Sequence, residues 1–191
     1  MVATTTAAVR GGRSSLAAMS LWHLAGLVLG STILALALAG VGALAPLPRR
    51  ELAIAVGGAA SLAGLASLVG RPLPVLSSEA QVPEAWRHTL SPSQYAFAYG
   101  SGLGLGVFTR IPSWSYHLLL ALVLVLGDPV LALWAAPTYA LARGIPVILA
   151  AGSGRPGHAV VEAMAGWRGS AFRLDAALTL LVGVGLIAVA S

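Results

Sequence analysis

The chain has 191 residues, of which 58% are hydrophobic and 9% charged, with a mean hydropathy of +0.88 and a formal net charge of +5. Soluble domains carry roughly 25% charged residues, so this composition excludes an ordinary water-soluble domain and places the chain in a bilayer. All 11 basic residues are Arg, scattered singly or in pairs, which argues against a nucleic-acid surface; the absence of Cys excludes thiol redox chemistry, thiolate metal sites and disulfides within this chain.

Residues 1–19 read as a polar tail with Arg10 and Arg13, followed by a single all-α transmembrane domain over 20–191. A first helix is predicted from about Leu21 to Leu44. Its apolar run is too long for the core of a signal peptide, despite the preceding arginines and the Ala-Leu-Ala that follows. Pro46 and Pro48 then stop one helix before the next begins. The second helix, about Glu51 to Gly70, is rich in Gly, Ala and Ser (Gly57, Gly58, Ala59, Ala60, Ser61, Gly64), which allows close backbone approach between helices. Arg71 to Pro92 reads as a polar loop in which Trp86 is an interfacial anchor.

The apolar run from Ser93 to Gly127 covers about 34 residues, or about 50 Å as a helix at 1.5 Å per residue. That exceeds a hydrocarbon core of about 30 Å, so the run reads as one span broken at Thr109 to Ser113; two short spans are the alternative. Pro112 removes a backbone donor and clashes with the preceding turn, and in lipid such a break survives only where protein or a wet cavity satisfies the freed groups. The glycines at 100, 102, 104 and 106 point to close packing or a hinge. A fourth helix is expected over Pro129 to Ala150. Gly152 to Arg173 reads as a polar connection, with His158 to Trp167 mildly amphipathic along the interface. Asp175 is expected near the N-terminus of a fifth helix running to the last residues.

Five spans put the two ends on opposite faces. Arg10, Arg13, Arg71, Arg87, Arg155, Arg168 and Arg173 then share one face, whereas the other holds Arg49, Arg50 and Asp128. This asymmetry sets the N-terminus in the cytoplasm and the C-terminus outside, in what reads as a bacterial inner membrane.

Polar residues at membrane depth are the candidate functional positions. Arg110 beside the break reads either as a contact for an anion or as a snorkelling or carbonyl-capping residue. Asp128 before Pro129 reads as a helix N-cap, with a proton or cation role as the alternative. Thr109, Pro112, Tyr139 and Arg143 complete a polar path. His23 and His117 are haem or metal candidates, but five spans place them in opposite leaflets, and no His/Asp/Glu cluster has metal-ligand spacing. No cofactor is expected. Trp114, Tyr116 and Trp134 read as belt or packing aromatics, and Ser101, Ser113 and Ser115 have no base nearby in the sequence.

The stretch from Tyr99 to Leu149 resembles the CcdA/DsbD family of transmembrane thiol–disulfide electron carriers. Phe108-Thr109 matches the family's Trp-Thr before its broken-helix motif, and Ala142-Arg143-Gly144-Ile145-Pro146 resembles its Gly-x-x-Leu/Ile-Pro ending. The resemblance covers roughly residues 21 to 190, with two departures: Arg110-Ile111 stands where the family has Pro-Cys, and the family's first helix has no counterpart. It implies a thiol-carrier fold without the thiols. The leading expectation is a non-redox, non-enzymatic membrane subunit or scaffold. It would pack against other membrane subunits or itself within the lipid bilayer, without nucleic acid. The rivals are a small oligomeric ion or solute transporter gated by the broken helix, and a haem- or quinone-linked electron carrier.

Overall fold

The structure is a computed structural model that describes residues 12–75, 80–108, 113–153 and 157–191. Among the described residues there are seven helices and no strand. They are α1 Gly12–Leu44, α2 Arg49–Leu68, α3 Trp86–Thr89, α4 Pro92–Gly104, α5 Trp114–Leu126, α6 Pro129–Gly152 and α7 Gly157–Ala190. Among the described residues three helical segments are long and apolar enough to cross a membrane: Ala17–Leu44, Arg49–Leu68 and Ala165–Ala190. The chain is all-helical and carries the hallmarks of a membrane protein.

The helix boundaries differ from the sequence expectation at two places. α1 begins at Gly12, inside the stretch read as a polar tail. The second difference is larger. α7 is continuous over 34 residues from Gly157, so from that residue on the segment read as a polar connection is helix, and Asp175 lies within α7 rather than near its start. The physical reason is that polarity and helicity are separate properties. His158 to Arg173 holds four Ala and two Arg with Glu162 and Met164, all good helix formers, and its two interior glycines, Gly166 and Gly169, cost only about 1 kcal/mol each.

The chain forms two compact units. In the first (to Leu34, Ser78–Arg110 and Trp134–Met164), α1 lies between α4 and α6. Its contact with α4 is reciprocal. A Cβ placed on Gly26 or Gly30 would stand 2.1 Å from the Phe97 carbonyl oxygen or 2.3 Å from that of Ser101. One placed on Gly100 or Gly104 would stand 2.1 Å from the His23 carbonyl oxygen or 2.4 Å from that of Leu27. Two Gly-x-x-x-Gly pairs therefore bring the backbones together, the arrangement that drives helix association where no hydrophobic effect operates. On the other side, Gly144 of α6 takes the Leu24 and Leu27 side chains, and buried Ser31 donates to the Ala136 carbonyl at 3.3 Å. The Gly run read as packing or hinge is thus split: Gly100 and Gly104 receive α1, and Gly102 receives the Phe108 ring. α4 opens on a capping box, with Ser91 accepting from the Gln94 N–H, the Gln94 side chain accepting from the Ser91 N–H, and Pro92 in the first turn.

The second unit (Ala35–Ser77, Ile111–Leu133 and Ala165–Ser191) is built from α2, α5, α7 and the end of α1. α2 meets α7 through small residues: Gly57 faces the Gly183 backbone, Gly183 faces Ser61, and Gly64 faces Ala176 and Leu180. α2 also packs on α5. Gly42 at the end of α1 lies against the Leu124 carbonyl, and Gly127 ends α5 in the left-handed region (φ 60°), its N–H bonded to Val123 O. Val123 and Thr179 are fully buried between these elements.

Candidate functional site: two polar clusters

The first unit gathers an aromatic and cationic ladder. His23 is buried and stacks on Tyr99, ring centroids 5.5 Å apart. Tyr99 stacks on Tyr95 at 6.1 Å, the two being one helical turn apart on α4. Tyr95 accepts from Arg87, and this bond, followed by the charge of Glu84, holds the Arg87 guanidinium above its ordinary pKa. Glu84 also pairs with Arg87 at 3.2 Å on the surface. Arg143, half-buried on α6, acts electrostatically on both His23 and Tyr99. Tyr139 lies one turn before Arg143 on the same helix and is also half-buried. Of the sequence candidates, then, His23, Tyr139 and Arg143 belong to this unit, with His23 and Arg143 electrostatically coupled. The tyrosines at 95 and 99 were not anticipated, although their spacing of four on a helix was visible.

The second unit holds an oxygen cluster at the start of α5. Ser113 occupies the N-cap position, with extended backbone, yet its hydroxyl does not cap its own helix. It donates instead to Asp175 Oδ1 on α7 at 2.7 Å, and Ser115 donates to the same oxygen. The two hydroxyl oxygens are 2.8 Å apart. A carboxylate at the first turn of α5 also complements the positive end of that helix. In the sequence no base lies near Ser113 and Ser115; the fold brings them the Asp175 carboxylate from 62 and 60 residues away. The sequence separation between Ser113 and Asp175 hid the pairing. His117 donates from Nδ1 to the Ser113 carbonyl at 2.8 Å, one turn along, and its ring meets Tyr116 edge-on at 5.4 Å. The Trp114 indole donates to Leu73 O at 3.2 Å, which pins the loop after α2 beside the same helix start.

Asp128 is an N-cap: its Oδ1 accepts from the backbone N–H of Val130 at 2.8 Å and of Leu131 at 3.3 Å, ahead of Pro129 in the first turn of α6. Asp128→Ala should cost about 1 kcal/mol of stability, read as a small fall in melting temperature with unchanged helix content by circular dichroism. Thr109, Arg110 and Pro112, at the proposed break, lie outside the described residues. His23 and His117 belong to different units, and among the described residues no group of three or more His, Cys, Asp or Glu could hold a metal ion. The aromatic trio also divides, Trp134 to the first unit, where it is strongly exposed, and Trp114 and Tyr116 to the second. Trp86 packs edge-on against Phe108 at 5.5 Å.

Both clusters are short-range, hydrogen-bonded or stacked arrangements on helices, suited to fixing helix positions. No protein family, curated protein or solved structure matches the chain.

Proposed function

We infer that this chain is a non-redox, non-enzymatic integral membrane subunit that works by packing against other membrane-spanning chains, on a scaffold resembling the CcdA/DsbD carriers without their thiols. The observation that carries the reading is a set of glycines with no contact of their own. A Cβ built on Gly58 of α2, or on Gly166, Gly169 or Gly185 of α7, meets nothing within 4 Å among the described residues. Glycine inside a helix costs about 1 kcal/mol relative to Ala, and that cost is offset where another backbone comes close. Gly57, Gly64 and Gly183 in the same two helices have such a neighbour. The open glycines are explained by a helix from a second chain. Leu62 on α2 and Leu181 and Val189 on α7 are each more than 60% exposed and extend the apolar surface available to it.

In this reading the chain makes five spans. α1, α2 and α7 supply three of them and α6, with 24 residues, a fourth. α4 and α5, at 13 residues and about 20 Å each, are too short to cross singly and are the two halves of the broken third span. The N-terminus is cytoplasmic and the C-terminus outside. Reporter fusions should therefore place residues 80 and 160 in the cytoplasm and residue 191 outside; residue 191 in the cytoplasm would eliminate the five-span arrangement.

Because the chain has no Cys, a single Gly58→Cys substitution gives a clean cross-linking probe. The subunit reading expects Gly58→Cys to form a discrete adduct with another chain in native membranes, and Ala60→Cys, buried inside the second unit, to form none. Equal labelling of both positions, or none at Gly58→Cys, would count against it.

A transporter is the second reading, favoured by one observation: a carboxylate on α7, a helix long enough to span, meets two hydroxyls at the start of α5. For that reading Asp175 would lie on the solute path.

A further inference from the structure

α2 and α7 run antiparallel, and their contacts set a register. At the start of α2, Arg50 donates from Nε to Ala190 O at 2.7 Å and from a terminal nitrogen to Ser191 O at 2.6 Å. Further along, Gly57 faces Gly183, and Gly64 faces Leu180 and Ala176. About seven residues forward on α2 go with about seven back on α7, so one more such step brings Arg71 level with about residues 169–173. Two further ties hold it there. Gly70 leaves α2 in the left-handed region (φ 76°), with its N–H on Ser67 O at 3.1 Å and the Arg71 N–H on Ala66 O at 2.8 Å, the paired bonds of a Schellman ending. Leu73 O then accepts from the Trp114 indole, next to the serines that bind Asp175 on α7. Arg71 of the loop and Arg168 and Arg173 of α7 therefore share one end of this unit, and all three are exposed.

The two ends of the unit differ in charge. At the far end Arg49 and Arg50 are matched by Glu51 and Asp128, and Arg50 is committed to the carbonyls that close α7. At the near end three guanidiniums meet one carboxylate, Asp175, whose Oδ1 already accepts from two serines. None of the three arginines forms an ion pair or a side-chain hydrogen bond with a described residue. Depth is set by α2: its 20 residues span about 30 Å, one hydrocarbon core, which the register sets against about residues 172–191 of α7. The apolar segment of α7 begins earlier, at Ala165, so Trp167 (77% exposed) and Arg168 stand beyond the core, with Arg71 and Arg173 at its edge. Just inside that edge the surface is apolar and open, with Leu68 and Val69 on α2 and Leu174 and Leu178 on α7. Guanidiniums at the edge suit a phosphate, and open apolar surface continuing inward suits acyl chains. A soluble anion would use only the first.

We propose that Arg71, Arg168 and Arg173, with Leu68, Leu174 and Leu178 on their membrane side, form a binding site for an anionic phospholipid. The arginine forks take the phosphodiester, and the acyl chains lie along the leucines. The site goes beyond the subunit reading. Leu68 lies about 15 Å along α2 from Gly58, so lipid binding and the Gly58→Cys cross-link fail independently of one another.

The test titrates the full chain in mild detergent with phosphatidylglycerol, phosphatidylcholine or inorganic phosphate, reading retained lipid by native mass spectrometry and stability by melting temperature. Wild type should retain phosphatidylglycerol and melt higher with it, and should do neither with phosphatidylcholine or phosphate. A basic side chain near an anionic membrane surface is worth about fivefold in binding, so the double variant Arg71→Gln, Arg173→Gln should bind phosphatidylglycerol roughly 25-fold more weakly. Arg49→Gln, at the far end of the same helix pair, should bind it as wild type does. Equal retention of the two lipids by wild type would overturn the proposal, and that arm needs no variant to fold. Inorganic phosphate raising the melting temperature as much as phosphatidylglycerol would overturn it in favour of a soluble-anion site. A loss in Arg49→Gln as large as that in the double variant would overturn it by showing attraction to net charge alone.

Discussion

Gly100→Val should remove most of the folded protein, costing about 3 kcal/mol or more. A Cβ at this position stands 2.1 Å from the His23 carbonyl oxygen and 3.0 Å from the Leu27 nitrogen, and both are backbone atoms that no rotamer change can move aside. Overpacking a tight contact ordinarily costs 1–3 kcal/mol; here it also separates α1 from α4 and disturbs the His23–Tyr99 stack between them. The matching control is Gly58→Ala, which meets nothing within 4 Å among the described residues and should leave the isolated chain as stable or more so, by up to about 1 kcal/mol. Yield and melting temperature in detergent check both. If Gly100→Val behaved like Gly58→Ala, the α1–α4 contact would not hold the first unit together.

Asp175→Ala should destabilise the second unit by about 2–3 kcal/mol, well beyond the cost of removing the Asp128 cap. The Asp128 side chain accepts from two backbone N–H groups at an exposed helix end, where water replaces it. The Asp175 side chain accepts from two hydroxyls in a partly buried site on another helix, and its loss removes both bonds that tie α5 to α7 there. After truncation the two serines can satisfy only one donor between themselves. A melting temperature for Asp175→Ala no lower than that of Asp128→Ala would show that the cluster does not contribute to the fold.

How much of this was legible in the sequence follows from which contacts are local. Asp128 before Pro129 announced its own role, because a cap and the N–H groups it serves are neighbours in the chain. The glycines of α2 and α4 announced close packing. Their partners did not show, since Gly26 and Gly30 sit among Leu and Val, and only the fold brings that spacing of four against Gly100 and Gly104. α7 was misjudged because charged residues were taken as loop. Arg168 and Arg173 are good helix formers, and composition alone does not say where a helix ends when no proline intervenes. The Ser113–Asp175 bond joins residues 62 apart, and no local signal relates them. In each case the residue types were readable and the long-range pairing was not.

The central claim, that this chain is one subunit of a membrane assembly, is tested most directly by native mass spectrometry of the complex extracted in mild detergent. The account predicts that the chain leaves the membrane in fixed stoichiometry with other membrane-spanning chains, and that Gly58→Leu releases it from them while leaving it folded. A closed homo-oligomer of this chain alone, moving solute when reconstituted into liposomes, would contradict the account and establish the transporter in its place.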